Sequence, residues 1–391
     1  MEAATPTKRI LALDVMRGIA IVGMILFNTS SGNHFAPLKH AHWIGLNPAD
    51  LAFPFFMFIM GITTYISLKK YDFRPTAQTF RKILTRMFGI ILICIAFDWL
   101  HDSLFYWDKV HEGLALGTQI LQSVTQWNDL RLSGVLVRLG LCYGLCAIIA
   151  VTCNHKKIPW LIVILLVVYT IILLLGNGFV QDETNIEGIV DRAVLGHDHM
   201  YRDHGIDPEG LLSTLPSLAH VLIGFWVGER IFKTSETSKD ALNAKIQYLF
   251  IFGSILVFLG YLLSYGCPIS KKMWTPTFVF VTCGSGAMLL ALLIYFIDCK
   301  GHNGAWTTFF KSFGANPLVL YLLSEALCWV FDFIELNWFG KKMDIWKVIY
   351  SRMLQPVFGD YLGDLVFALF IVFLCWIVGH TLYRKRIFIK L

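Results

Sequence analysis

Residues 28–56 read NTSSGNHFAPLKHAHWIGLNPADLAFPFF, a polar stretch with three histidines between two strongly apolar segments. The segments on either side, 10–28 and 50–68, each come close to the roughly 20 apolar residues that span a bilayer as a helix. The pattern predicts two membrane helices joined at one membrane surface by the histidine loop.

The composition of the whole chain extends this interpretation. The 391 residues are 56% hydrophobic and only 15% charged, with a mean hydropathy of +0.61. This exceeds the apolar content of ordinary soluble domains. The net charge of +6 does not indicate nucleic-acid binding, because the basic residues lie between apolar runs, where they orient a membrane protein.

The apolar runs predict an all-α, polytopic integral membrane protein with about ten transmembrane helices and a single transmembrane domain over residues 1–391. The predicted spans are 10–28, 50–68, 83–100, 133–152, 159–176, 213–231, 247–265, 276–297, 316–334 and 364–383.

Charge sets the predicted orientation. Twenty of the 33 Lys and Arg residues fall on the side that carries both termini, and eleven fall on the other side. The positive-inside rule therefore predicts cytoplasmic termini, with the histidine loop outside together with other long loops. The first apolar run has no small-residue cleavage site after it, so we expect it to remain as the first span.

Cysteines do not indicate a metal site or a disulfide framework. The nine cysteines lie mostly inside apolar runs and include no CxxC pair, which is typical of core packing.

Three of the charged residues within predicted spans are candidates for the site. Asp14 and Arg17 are three residues apart and share one helical face, and Arg138 lies in LVRLGLCYG. A charge at the centre of an inserted helix costs about 2.5–3.5 kcal/mol, so such residues mark functional sites or structural ion pairs.

The histidine loop contains the candidate chemistry. His40 can take and return a proton near neutral pH. Asp50, at the mouth of the second span, is suited to orient an imidazole, and Asn28 is suited to donate a hydrogen bond to an oxyanion.

The same residues support a resemblance to a known family. RILALDVMRGIAIVGMILFN and KHAHWIGLNPADLAFPFFMFIMG resemble the heparan-alpha-glucosaminide N-acetyltransferase family, which is lysosomal in animals and has bacterial relatives. Further matches are LRLSGVLVRLGLCYG, DPEGLLSTLPSLAHVLIGFWVG, KKMWTPTFVFVTCGSGAMLL and NPLVLYLLSEAL, so the similarity covers most of the chain.

The resemblance implies acetyl transfer from cytosolic acetyl-CoA to the amine of a glucosamine residue across the membrane. It assigns the active-site histidine to His40 and the active-site asparagine to Asn28, with Asp14, Arg17 and Asp50 in supporting roles. Arg138 is a further supporting candidate. His42 stands where the animal enzymes have serine and competes with His40 for the catalytic role. A homodimer is also an expectation from the resemblance.

The phosphates of the donor require basic groups on the cytoplasmic side. The candidates are Arg81, Lys82, Arg86 and Lys311, although ordinary topology signals explain the same residues. No metal is predicted, because HDHMYRDHG at 197–205 lacks a clear ligand register.

Two features favour a bacterial inner membrane. The only NxS sequon, Asn28 to Ser30, lies at the predicted site, and the large lumenal N-terminal region of the animal enzyme is not seen before the first span. Two alternatives remain: an O-acyltransferase of envelope polysaccharide, and a transporter of an amino sugar or anion, since buried charges also line transport pathways.

Overall fold

The structure is a computed structural model that describes residues 10–29, 34–110, 115–125, 127, 129–201, 204–233, 238–338 and 341–389. Its fourteen helices within these ranges are α1 (Leu11–Asn28), α2 (Ala52–Lys69), α3 (Ala77–Val110), α4 (Leu116–Val124), α5 (Val135–Thr152), α6 (Ile158–Leu175), α7 (Ile186–Leu195), α8 (Thr214–Phe232), α9 (Lys239–Leu263), α10 (Pro276–Leu293), α11 (Ala305–Ala315), α12 (Pro317–Phe333), α13 (Ile345–Lys347) and α14 (Gln355–Arg384). One hairpin pairs β1 (Glu335–Trp338) with β2 (Lys341–Asp344).

The prediction of an all-α, polytopic membrane protein is confirmed. Within the described ranges, eight helices are long and apolar enough to cross a membrane, and a ninth span results if α11 and α12, which meet at an 85° bend, count as one. Each of the ten predicted spans lies on a helix. The ten include α8, which is not among the eight, and α12, which qualifies only together with α11.

Helix α8 lies at the centre of the bundle, where α2, α5 and α6 pack around it. It can approach α2 closely because glycines meet at the crossing. A methyl group built on Gly224 would lie 2.2 Å from the carbonyl oxygen of Phe58, and one on Gly61 would lie 2.1 Å from the carbonyl oxygen of Val221. The absence of side chains at both positions therefore sets the spacing of the two helices.

Helix α11 lies across the first half of α1 at a second close crossing. A methyl group on Gly314 would lie 2.2 Å from the carbonyl oxygen of Asp14, and one on Gly18 would lie 1.9 Å from that of Phe310. The 85° bend after α11 falls at Asn316, directly before the proline that starts α12. Helix α11 thus supports α1 at the end opposite to the histidine loop.

The beginning of α1 is capped by a residue that is distant in sequence. The carboxylate of Asp298, just beyond α10, accepts hydrogen bonds from the backbone amides of Leu11 (3.0 Å) and Ala12 (3.1 Å). Asn316 similarly binds backbone groups of Ile387 and Ile389 after α14. Both ends of the described chain are therefore tied to the segments that flank α11.

Candidate active site

The histidine loop is built around a buried carboxylate. A short 3₁₀ turn, Pro48–Leu51, leads into α2, and Asn47 and Asp50 form a capping box at its start. Asp50 is fully buried; its Oδ1 lies 2.7 Å from Nδ1 of His40, and its Oδ2 accepts the amides of Ala41 (3.1 Å) and Asn47 (3.0 Å). These contacts position the imidazole at the start of α2.

The loop is also anchored to two distant segments. The indole of Trp43 donates to the carbonyl of Phe179 (2.9 Å), and the carbonyl of Trp43 accepts a hydrogen bond from Ser270 (2.5 Å). The amide of Gly45 donates to the carbonyl of Ile269 (2.7 Å). The segment between α9 and α10 therefore forms one wall of the site.

His40 and Asn28, both predicted from the sequence, line one crevice of about 330 Å³, open mouth included. Asn28 comes from the end of α1 and His40 from the loop, and the remaining lining residues in the described part of the chain are Met24, Phe27, Ala49, Ala52, Phe53, Val135, Glu209 and Lys271. The side chain of His40 is 38% exposed. The crevice thus combines a base, an amide and two opposite charges within an apolar wall.

Asn28 also has a neighbour on α12. Its side chain lies next to that of Glu325 on α12. Glu325 is therefore a second acidic neighbour of the end of α1, beside the crevice.

Glu209 and Lys271 were not predicted as site residues, although both lie in segments that carry the resemblance. Lys271 follows α9, and its Nζ lies 3.2 Å from Nδ1 of His40 and 3.8 Å from Oδ1 of Asp50. Burial lowers the pKa of Lys271 even though the Asp50 carboxylate opposes this effect. Nothing in the local sequence Lys271–Trp274, which contains two lysines, indicated that one of them would reach His40.

Glu209 is held by an ion-pair network. Arg131 donates to Oδ1 of Asp207 (2.6 Å) and to Glu209 (2.8 Å). Burial disfavours the Asp207 carboxylate, but Arg131 and the hydrogen bonds of Ser133 and Tyr201 outweigh burial, so the pKa of Asp207 is lowered. The DPEG turn is thereby fixed at the crevice.

Arg138 lies behind that turn and does not line the crevice. It is buried in α5, contacts Ser213, donates to the carbonyl of Gly210 (3.2 Å) and lies 5.3 Å from the ring centre of Trp274. Its position links α5 to the segment that carries Glu209.

Two buried acids of α7 lie near this arginine. Burial raises the pKa of Glu187 to about 8 and that of Asp191 to about 6, while Arg138 acts in the opposite direction on both. Glu187 also contacts the hydroxyl of Tyr169. At neutral pH Glu187 is therefore largely protonated, whereas Asp191 stays mostly ionised.

Asp14 and Arg17 lie in the other half of α1. Arg17 is 3.5 Å from Asp14 and donates to the carbonyl of Gly314 at the end of α11 (3.1 Å). Asn28 lies eleven positions after Arg17 on the same helix, a distance of about 16 Å. The structure therefore places this pair at a helix junction and apart from His40.

The predicted donor-binding residues also lie far from His40. Lys82 donates to the hydroxyl of Tyr71 (2.8 Å), and Arg86 lies over the ring of Tyr143 (4.5 Å) near the start of α3. Arg81 is exposed and Lys311 is half-buried on α11. The length of α2, about 27 Å, separates the start of α3 from the histidine loop.

His42 and His34 have different surroundings from His40. His42 is exposed, and its ring lies 6.4 Å from that of His204. His34 is buried and contacts Asp364 on α14, which ties the start of the loop to that helix.

No metal site is predicted at 197–205, and residues 202 and 203 of this segment lie outside the described ranges. Among described residues, no three His, Cys, Asp or Glu side chains are grouped to hold a metal ion. His199 binds the carbonyl of Leu130 (2.8 Å), whereas His204 lies near Gln181 and His42.

The chain is similar in sequence to known proteins. The family model described as heparan-alpha-glucosaminide N-acetyltransferase, catalytic, matches residues 9–265. Two proteins named heparan-alpha-glucosaminide N-acetyltransferase are similar over 98% of this chain: the human protein at 28% identity and the mouse protein at 26%. The chain spans 60% of the length of each. The predicted resemblance is confirmed, and the chain belongs to the heparan-alpha-glucosaminide N-acetyltransferase catalytic family.

Proposed function

We propose that this protein is a membrane acetyltransferase that moves the acetyl group of acetyl-CoA to the amine of glucosamine or of a glucosamine-terminated saccharide. The observation that carries the proposal is the His40 imidazole, held through Nδ1 by buried Asp50 and lining one crevice with Asn28. The family of the chain supports the same chemistry.

His40 is suited to act as the base. When Nδ1–H donates to Asp50, the lone pair of Nε2 is left to accept a proton. The acceptor amine loses that proton and its nitrogen attacks the thioester carbonyl, forming the C–N bond. Asn28 is placed to donate a hydrogen bond to the resulting oxyanion. The C–S bond then breaks, and the thiolate leaves and takes up a proton.

A two-step route uses the same residues. The Nε2 atom attacks the thioester, coenzyme A leaves, and the acetyl group passes from the imidazole to the amine. In this route the imidazole carries the acetyl group between the two substrates.

The Glu209 carboxylate at the crevice supports an amine acceptor. A carboxylate at this position favours a cationic ammonium over a neutral hydroxyl group. Lys271, the cation of the same crevice, already lies 3.8 Å from Asp50.

The proposed direction of transfer follows from the distribution of basic residues. Arg81, Lys82, Arg86 and Lys311 are the proposed contacts of the donor phosphates, at the ends of the helices opposite to His40. The donor would thus be bound from the cytoplasm and the acceptor from the other face, in a bacterial inner membrane. A homodimer is part of the proposal through the family resemblance alone.

Purified protein supplied with radiolabelled acetyl-CoA and a panel of amino and neutral sugars tests the function. We expect label on the amine of glucosamine. His40→Ala should reduce transfer about 10²–10⁴-fold, whereas His42→Ala, a matched change two residues away, should retain most activity. Label on a hydroxyl group only, or full activity in His40→Ala, would contradict the proposal.

The two routes can be separated without acceptor. Rapid mixing with acetyl-CoA alone, followed by peptide mass spectrometry, should show acetylated His40 only in the two-step route. Asn28→Asp, which leaves His40 in place, serves as a variant in which such an intermediate would accumulate more slowly.

A further inference from the structure

The segment between α9 and α10 presents Lys271 to the histidine loop in a fixed geometry. Within the segment, the amide of Ser270 donates to the hydroxyl of Thr275 (3.0 Å), and the amide of Trp274 donates to the carbonyl of Lys271 (3.1 Å). The contacts of Ser270 and Ile269 with the histidine loop hold the two segments together. Lys271 therefore reaches His40 from a rigid support.

Three ionisable groups meet at this point. The Nζ of Lys271 lies 3.2 Å from Nδ1 and 3.5 Å from Nε2 of His40, and 3.8 Å from Oδ1 of Asp50. The side chain of Lys271 is 20% exposed and that of Asp50 is fully buried. The three groups thus interact through a partly desolvated space, where charges act more strongly than in water.

Asp50 by itself would favour a protonated imidazole. A buried carboxylate 2.7 Å from Nδ1 stabilises the imidazolium ion, which has no lone pair with which to take a proton from an amine. An ammonium group at 3.2 Å has the opposite effect, because two positive charges repel each other. The two neighbours of His40 therefore act on its charge in opposite directions.

We propose that Lys271 is a positioning residue that balances the charge of Asp50 and keeps the imidazole of His40 neutral, so that Nε2 remains a base while Nδ1 stays bonded to Asp50. The inference rests on the proposed function for its catalytic meaning, but the protonation of His40 can be measured without turnover.

The other charges near Lys271 come from three elements. Glu209, before α8, attracts its ammonium group, while Lys272 on the same segment and Arg138 on α5 repel it. Glu209 is already paired with Arg131 at 2.8 Å. Among the charged groups, Asp50 has the largest effect on Lys271.

The test follows the carbethoxylation of His40 by diethyl pyrocarbonate, which attacks the neutral imidazole. The reaction rate at the His40 peptide is measured by mass spectrometry in purified full-length protein between pH 5 and 9. In Lys271→Met the midpoint of this rate should move to higher pH by about one unit or more, the usual effect of a charge at this distance. Lys271→Arg should restore the midpoint, and Lys272→Met, which removes the neighbouring charge, should leave it almost unchanged.

A double variant provides a second measurement. Asp50→Asn removes the opposing charge and should move the midpoint to lower pH, and Asp50→Asn combined with Lys271→Met should bring it back towards the wild-type value. An unchanged midpoint in folded Lys271→Met, or a shift to lower pH, would overturn the inference. Lys271→Gln, which keeps a polar group, replaces Lys271→Met if the latter does not fold.

Acetyl transfer gives the catalytic readout. In Lys271→Met, kcat/KM should fall about tenfold or more below pH 7 and approach the wild-type value at high pH. A purely structural lysine would lower the rate equally at every pH. A shifted midpoint in Lys271→Met, when the wild-type protein transfers no acetyl group, would support this inference and contradict the proposed function. Acetyl transfer by the wild-type protein, with an unchanged midpoint in Lys271→Met, would support the proposed function and contradict this inference.

Discussion

Asp50 and His40, ten residues apart, are joined by a contact of 2.7 Å between a carboxylate oxygen and Nδ1, at the point where the chain turns into α2. The carboxylate is fully buried, and its second oxygen accepts the amides of Ala41 and Asn47. The same side chain therefore shapes the loop and orients the imidazole.

Asp50→Asn should separate these two roles. The amide keeps the shape of the carboxylate but removes its charge, so the preferred tautomer of His40 is lost while much of the loop remains. We expect kcat to fall about 10²–10⁴-fold, as for other orienting carboxylates, with a smaller change in KM. Hydrogen exchange of residues 40–47 should stay slow; a fully unfolded loop would show that Asp50 is mainly structural.

Asn28→Ala should impair chemistry more than binding. Loss of one donor to an oxyanion costs about 10²–10³ in kcat, and the side chain lines the crevice beside His40. Steady-state kinetics should show a lower kcat with little change in KM, and Asn337→Ala, in the exposed hairpin, is the control. An effect confined to KM would assign Asn28 to substrate binding instead.

Gly224→Ala should destabilise the bundle. The added methyl group would lie 2.2 Å from the carbonyl oxygen of Phe58, so α2 and α8 must separate, and such overpacking costs about 1–3 kcal/mol. Gly117→Ala adds the same methyl group where nothing lies within 4 Å and is the matched control. Thermal unfolding in detergent should give a lower midpoint for Gly224→Ala only.

Asp298→Ala should loosen the start of α1. The variant leaves the amides of Leu11 and Ala12 without their carboxylate acceptor, and loss of a cap costs about 1 kcal/mol. Asp332→Ala removes an exposed carboxylate near the end of α12, where the backbone is helical, so its effect should be close to zero. Equal unfolding midpoints for the two variants would contradict the capping role.

Glu187 should make stability depend on pH. Burial raises its pKa to about 8 in the folded protein from its ordinary value of 4.5, so between these values the folded state binds more protons than the unfolded state. Stability should therefore fall as pH rises from about 4.5 to 8. Glu187→Gln should flatten this slope in thermal unfolding measured from pH 5 to 9, and Glu183→Gln is the control; an unchanged slope would show that Glu187 does not cause it.

Local sequence was sufficient for the helices and for the centre of the site. Long apolar runs have few stable arrangements in a bilayer other than helices, so each predicted span became one. The pairing of His40 with Asp50 was accessible because Asp50 follows His40 by only ten residues and lies in a short turn that begins at Pro48 and is closed by a capping box. The bend at Asn316 was missed, because a single long apolar segment does not show where a neighbouring helix will force the chain to turn.

The roles of charged residues depended on packing. Asp14 and Arg17 share the motif with Asn28 but lie about 21 Å and about 16 Å from it along α1, because a helix separates residues in proportion to their spacing. Conversely, Lys271 is 231 residues from His40 and lies within 3.2 Å of it.

Hydropathy and short-range turn geometry act within a few residues, so they were enough to predict the helices, the polar loop between the first two of them and the His40–Asp50 pair. The completion of the crevice by Lys271 and Glu209, and the places of Arg17 and Arg138 at helix junctions, became visible only in the packed chain. Those contacts follow from how the helices pack, and packing depends on side-chain shapes that meet from distant parts of the chain.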